Sequence, residues 1–308
     1  MRRTPRDGSR AYRHVLNGSR LGHGALQLEI QDVSLRFGGV RALEQVSLEV
    51  CQGDVHALIG PNGAGKTSLL NCISGLYRPQ EGRIVLHGPQ SAHDLVRERP
   101  SRIARLGVAR SFQNIELFRH MTVVENLLLG RHVHMCHRLG AALWYWGPAQ
   151  RQEIAHRELV EEVIDSLELQ AVRNTPVATL PYGVQKRVEL GRALCMQPAL
   201  LVLDEPMAGM NAEEKEDLAR FVMDANQLSG MTVVLVEHDM AVVMDVSDRV
   251  TVLDFGRVIA DGTPAQVVSD PAVIDAYLGD VAADAVTAGG REAAIPARSA
   301  ARSRRDPE

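Results

Sequence analysis

The sequence predicts an α/β fold built on a mixed, largely parallel sheet, and three observations carry that expectation. Short apolar runs at residues 55–59, 199–203 and 232–236 are rich in leucine and β-branched residues and are flanked by polar ones. Strands buried on both faces read this way. Stretches of helical periodicity separate those runs, as crossover connections between parallel strands require. Finally, residues 60–67 read Gly-Pro-Asn-Gly-Ala-Gly-Lys-Thr, a complete G-x-x-x-x-G-K-[ST] loop placed directly between the first run and the helix-like residues 68–73. A strand that delivers the chain to a glycine-rich turn, followed by a helix start, is a phosphate-binding arrangement, because backbone N–H groups and the positive helix end converge on one concavity.

Taken in order, residues 1–24 hold six arginines and one aspartate and form a basic extension expected to be disordered. Apolar residues then alternate at Leu26, Leu28, Ile30, Val33, Leu35 and Phe37, and again at Val46, Leu48 and Val50, which predicts an N-terminal antiparallel β subdomain. After the phosphate loop and its helix, residues 82–88 read as a strand with turn residues at both ends. Residues 92–172 look helical, with Ile154, Leu159, Val160, Val163, Ile164 and Leu167 on one stripe, so a helical subdomain over about 92–195 is expected inside a main domain of residues 25–280. Helices at 184–196 and 212–228 alternate with strands at 199–203, 232–236 and 249–255. Residues 281–308 are Ala/Arg-rich without periodicity and are expected to be unfolded.

Composition narrows the function. With 308 residues and 45% hydrophobic content the chain can bury one large or two modest cores, and its apolar runs are too short for a membrane span. Net charge is −4, but residues 1–24 carry +5 and residues 291–308 carry +2, which leaves −11 for the body; an acidic body argues against a nucleic-acid footprint. Cys51, Cys72, Cys136 and Cys195 form no C-x-x-C pair and read as free thiols. The segment His132, His134, Cys136, His137 has no distant cluster to complete a tetrahedral metal set. Only three lysines, Lys66, Lys186 and Lys215, stand against thirty-one arginines, yet the phosphate loop keeps lysine, whose compact ammonium fits between phosphate oxygens where a guanidinium is too broad.

Residues 200–205, Leu-Leu-Val-Leu-Asp-Glu, form an apolar strand that ends in two acids. Mg²⁺ prefers oxygen ligands in octahedral geometry, so the Thr67 hydroxyl and Asp204 are candidates to hold an ion beside the phosphates. Glu205 is placed to polarise a water as general base. Gln113 stands where sheet gives way to helix and offers a neutral amide to Mg²⁺ or to that water. His238 follows the 232–236 run and so lies at the carboxyl edge of the sheet, where open α/β folds bind ligands.

With these residues in place, the chain resembles the ATP-binding subunits of ABC transporters over roughly residues 26–280. The phosphate loop, Gln113, the signature Leu180-Pro181-Tyr182-Gly183-Val184-Gln185, Asp204-Glu205 and His238 follow in the family's order. The signature discriminates, since other phosphate-loop ATPases, kinases and GTPases lack it. The resemblance implies a P-loop ATPase core that binds ATP and Mg²⁺, with Asn62, Gly63, Gly65, Lys66, Thr67 and Ser68 cradling phosphate, Phe37 stacking on adenine and Val40 close by. It further implies that Pro181, Tyr182 and Gly183 close over the nucleotide of a second ATPase subunit, a copy or a paralogue packed head to tail. Glu205 and His238 would be the catalytic pair.

The signature departs from the family in having Pro181 where serine is usual, which removes both a hydroxyl and an N–H. Contact with the γ-phosphate then falls to the N–H groups of Tyr182 and Gly183 and to the helix they begin. Residues 36–40, 111–118, 237–240 and 270–279 are similar to one of the two ATPases of branched-chain amino-acid importers. By that resemblance the chain energises import through two transmembrane permease subunits, fed by a periplasmic or lipid-anchored binding protein, and works at the cytoplasmic face of the membrane. Residues 114–125 would receive a permease helix. Urea or amide import, lipopolysaccharide export and a soluble role on ribosomes or DNA are the alternatives; the single phosphate loop and the lack of sustained heptads disfavour the last.

Overall fold

The computed structural model describes residues 21–111, 116–134 and 148–277. The expectations for residues 1–20, for Gln113, for Cys136 and His137, and for the tail from 281 lie outside the described residues.

The first half contains β1 (Leu26–Phe37), β2 (Val40–Cys51), β3 (Val55–Ile59), α1 (Lys66–Ile73), β4 (Glu81–His87), β5 (Ala92–Asp94), α2 (Pro100–Arg105), β6 (Val108–Arg110) and α3 (Val123–Gly130). Then follow α4 (Pro148–Ser166), α5 (Tyr182–Leu194), β7 (Leu200–Asp204), α6 (Ala212–Ser229), β8 (Thr232–Val236), α7 (Met240–Val246), β9 (Arg249–Asp254), β10 (Arg257–Gly262) and α8 (Pro264–Val268), with a further helical stretch at residues 271–277.

Two sheets result. One is antiparallel, in the order β2-β1-β4-β5; the other runs β10-β9-β3-β8-β7-β6 and is parallel except for β10. The period of two along the strands sets the layering. Leu200 and Val202 of β7 face a core shared with α1 and the antiparallel sheet, whereas Leu201 and Leu203 face a second core shared with α3, α4, α5 and α6. Ala57, Ile59, Val250 and Val252 pack on α7 and Val267 of α8 in a smaller third cluster.

The expected helical character of residues 92–172 fails at two places. Residues 92–94 pair with β4, and residues 108–110 pair in parallel with β7. Three-residue strands are too short to display alternation, and their pairing partners are distant in sequence. The helical stripe at Leu159, Val160, Val163, Ile164 and Leu167 is buried, but Ile154 is 49% exposed and stands off it. The run at 249–255 also ends one residue early, because the chain turns at Phe255 and Gly256 and returns as the antiparallel β10.

Helices α3 and α5 pack closely where glycines allow it. A Cβ on Gly130 would lie 2.3 Å from the Arg192 carbonyl oxygen, and one on Gly191 would lie 2.8 Å from the side chains of Leu127 and Leu167. Helix α6 starts from a capping box in which Asn211 Oδ1 accepts from Glu214 N at 2.9 Å and Glu214 Oε2 accepts from Asn211 N at 3.1 Å.

Candidate functional site

The carboxyl ends of β3, β6, β7 and β8 lie along one edge of the parallel sheet, which is where the candidate residues collect. Val55–Ile59 is fully buried and runs straight into the loop. Gly60 has φ +143°, and a Cβ there would fall 2.0 Å from the Leu253 carbonyl oxygen. Gly65 has φ +104° and sits where a Cβ would meet the Ala42 carbonyl oxygen at 2.5 Å. Only glycine satisfies both the dihedral and the close backbone approach at these points. The loop is thereby pressed between β9 and β2, and its tip, Asn62 and Gly63, is exposed.

Lys66 is buried, and its Nζ donates to the carbonyls of Gly60 and Pro61 at 2.6 and 2.8 Å. The ammonium thus lies inside the curve of the loop, with Thr67 exposed and Ser68 half-buried at the start of α1. A cradle of this shape, closed by a helix N-terminus and a buried ammonium, fits a di- or triphosphate.

Across from it, Asp204 ends β7 and is 1% exposed. Its Oδ2 accepts from Arg110 Nη2 at 3.0 Å, while its buried Oδ1 takes no hydrogen bond. Burial pushes the Asp204 carboxyl above its usual range, opposed by the Arg110 guanidinium and by a weaker interaction with the Thr67 hydroxyl. A buried carboxylate with one oxygen taking no hydrogen bond, on a residue that also interacts with a threonine hydroxyl, is a donor set a hard divalent cation takes. Thr67 and Asp204 therefore fit Mg²⁺.

Glu205 is the next residue, and its φ of +48° is unusual for a side-chain-bearing residue. Its amide donates to the Val236 carbonyl at 2.9 Å, which fixes the turn out of β7 against β8. That turn brings Glu205 Oε1 to 2.5 Å from His238 Nε2. Next to His238, Glu237 is buried, with Oε1 accepting from the Met207 amide at 2.9 Å and Oε2 from the His238 amide at 3.3 Å. Burial raises its carboxyl above the ordinary value. Glu237 ties the two loops that carry Glu205 and His238 into one unit.

Phe37 and Val40 stand exposed at the tip of the β1–β2 hairpin, and the Phe37 ring meets Tyr77 edge-on with centroids 5.1 Å apart. Pro181 is the N-cap of α5, and Tyr182 and Gly183 begin that helix. Tyr182 Oη donates to the Ala208 carbonyl at 3.1 Å, and Gly183 lies against Glu214, so the signature leans on the loop after Glu205. The structure therefore assembles Thr67, Asp204, Glu205 and His238 at one edge and sets the signature beside the 206–210 loop.

Two residues of the site escaped the sequence reading. Arg110 and Glu237 are charged residues at the exits of parallel strands, a position that itself marks them; Arg110 belongs to none of the motifs that drew attention, and Glu237 lies within the 237–240 stretch but was given no role there. Tyr77, which supports Phe37, gave no pattern at all.

Comparison with known proteins agrees with this geometry. The ABC transporter family matches residues 43–208, and the family of branched-chain amino acid ATP-binding cassette transporters matches residues 257–283. The chain is 41% identical over 254 residues to the high-affinity branched-chain amino acid transport ATP-binding protein BraF of Pseudomonas aeruginosa, covering 82% of this chain and 98% of BraF. To the corresponding protein LivG of Escherichia coli K12 it is 38% identical, with 82% and 98% covered. A crystal structure of the ADP conformation of MJ1267, an ATP-binding cassette of an ABC transporter, superposes with a TM-score of 0.71 at 31% identity, covering 82% of this chain and 99% of that one. On these grounds the chain belongs to the ABC transporter family, among its branched-chain amino acid ATP-binding cassettes.

Proposed function

We propose that the chain is the ATP-hydrolysing subunit of an importer for branched-chain amino acids. The observation that carries the chemistry is the 2.5 Å approach of Glu205 Oε1 to His238 Nε2, one residue beyond Asp204. A carboxylate held beside an imidazole can take a proton from water while the imidazole orients the group being attacked. The buried Lys66 ammonium and the loop amides stabilise charge that develops on the phosphoryl oxygens. Phe37 and Val40 offer an exposed apolar platform for the base. Thr67 and Asp204, with Gln113 as a further candidate, hold Mg²⁺, whose contribution when bound is to neutralise phosphate charge.

The signature Pro181, Tyr182 and Gly183 serves the opposite subunit, so two ATPase subunits pack head to tail and each completes the other's site. Among the described residues no helix is long and apolar enough to cross a membrane. Attachment to the cytoplasmic face then runs through two permease subunits, and a binding protein outside selects the cargo. The names of BraF and LivG support branched-chain amino acids as that cargo.

Replacing Glu205 by Gln tests the reading. The variant should bind ATP with wild-type affinity, lose hydrolysis by about a hundredfold or more, and accumulate as an ATP-bound dimer in gel filtration. Hydrolysis at the wild-type rate would remove Glu205 from the role of base. Reconstitution with the permease pair and binding protein, followed by leucine uptake, tests the cargo.

A further inference from the structure

Arg110 is the last residue of β6, and its guanidinium is 7% exposed. It reaches three residues on two elements at once. Nη2 donates to Asp204 Oδ2 at 3.0 Å on β7, and Nη1 donates to Asn71 Oδ1 at 2.6 Å and to Ser74 Oγ at 3.2 Å at the end of α1. A planar fork is suited to this task, because its donors diverge in fixed directions, whereas an ammonium is one point on a flexible stem.

The consequence lies in which oxygen is taken. Arg110 occupies Oδ2 and so leaves Oδ1, buried and without a hydrogen bond, as the oxygen available to a cation. Without the fork the carboxylate can rotate about its Cβ–Cγ bond, and that rotation removes a fixed ligand.

We infer that Arg110 is a positioning residue for the metal site: by occupying Oδ2 it fixes the Asp204 carboxylate in the orientation that leaves Oδ1 for a cation, and it anchors that geometry to the helix behind the phosphate loop. The inference rests on the proposed Mg-ATP site and deepens it. Partners one shell out from a metal ligand characteristically change metal affinity by about 10- to 100-fold when replaced.

Arg110→Lys keeps the charge and loses the fork. Binding of a fluorescent ATP analogue in EDTA reads the phosphate cradle alone, and Mn²⁺ binding to the protein–nucleotide complex, followed by electron paramagnetic resonance, reads the metal ligands. We expect metal-free nucleotide affinity within about twofold of wild type and Mn²⁺ affinity weakened by about tenfold or more. Asn71→Ala, which removes one anchor of the same guanidinium and leaves the ion pair, should weaken Mn²⁺ in the same direction by a smaller factor. Unchanged Mn²⁺ affinity in Arg110→Lys overturns the inference, as does an equal loss of metal-free nucleotide affinity, since the residue would then be supporting the loop as a whole. A wild-type chain that binds nucleotide neither in EDTA nor with Mg²⁺ or Mn²⁺ overturns the ATPase reading itself, and the inference with it.

Discussion

His56, one residue into β3, is almost fully buried. Its Nε2 lies 2.7 Å from Thr251 Oγ1, and that hydroxyl donates onward to Asp261 Oδ2 at 2.7 Å. Because the hydroxyl proton is spent on Asp261, the imidazole must donate through Nε2, and Nδ1 is left buried without a partner. Burial lowers the His56 pKa to about 4, with Asp261 opposing the shift and Arg249 reinforcing it. The unfolded chain therefore binds more protons than the folded one between pH 6.5 and 4, and stability falls as pH drops through that window. His56→Gln keeps a donor for Thr251 and removes the titration. Urea unfolding from pH 7 to pH 5 should cost the wild type about 2 kcal/mol more than the variant; equal losses would show that this imidazole is not held neutral. Legibility at this scale followed chemistry. Lys66, Asp204, Glu205 and His238 stand out in the sequence because the proposed phosphate binding and hydrolysis call for their types at that spacing. Arg110, and the supporting part of Glu237 within the 237–240 stretch, do not, because their work is to hold other groups, and support of that kind depends on contacts between strands far apart in sequence.

Among the elements, long periodic segments were legible and short paired ones were not. Helix α6 lies within one residue of its expected span because Asn211 caps one end and Gly230, with φ +62°, ends the other. Strands β5 and β6 have three residues each and exist only through their neighbours. The contact between α3 and α5 was equally silent in the sequence. Gly130 is not needed there for its dihedral; it is needed because the Arg192 carbonyl approaches within 2.3 Å of where a Cβ would stand. Gly130→Ala should force the two helices apart and destabilise the chain by about 1–3 kcal/mol, as overpacking typically does. Thermal denaturation of the variant checks this, and an unchanged midpoint would mean that the helices slide without cost.

At the scale of the whole molecule, the two large cores meet at the central sheet and share its strands, so the site lies where they join. Phe118, 57% exposed, and Met121 lie on the surface before α3. An exposed apolar pair next to the helix cap at Thr122 suits the apolar face of a partner helix. Phe118→Asp should leave ATP binding intact and reduce recovery with permease-containing membranes by about tenfold, since a carboxylate buried without a partner is strongly disfavoured. Full membrane recovery would place the permease contact elsewhere on the surface. The architecture was legible at this scale because the order of motifs along the chain follows the order of strand ends, and the exposed Phe118 and Met121 fall within the 114–125 stretch expected to receive a permease helix.

All three lysines of the chain are committed. Lys66 lies in the phosphate loop, Lys186 is buried against Glu189 at 3.2 Å, and Lys215 is bonded to Asp239 at 2.7 Å with 29% of its side chain exposed. Surface cations are otherwise written as arginine. An amine-reactive reagent therefore finds few side chains to modify on the folded chain, and Lys66 becomes a built-in reporter. Its labelling should follow the opening of the loop and should be blocked by bound nucleotide, so that ordinary acylation chemistry reads site occupancy without any engineered probe.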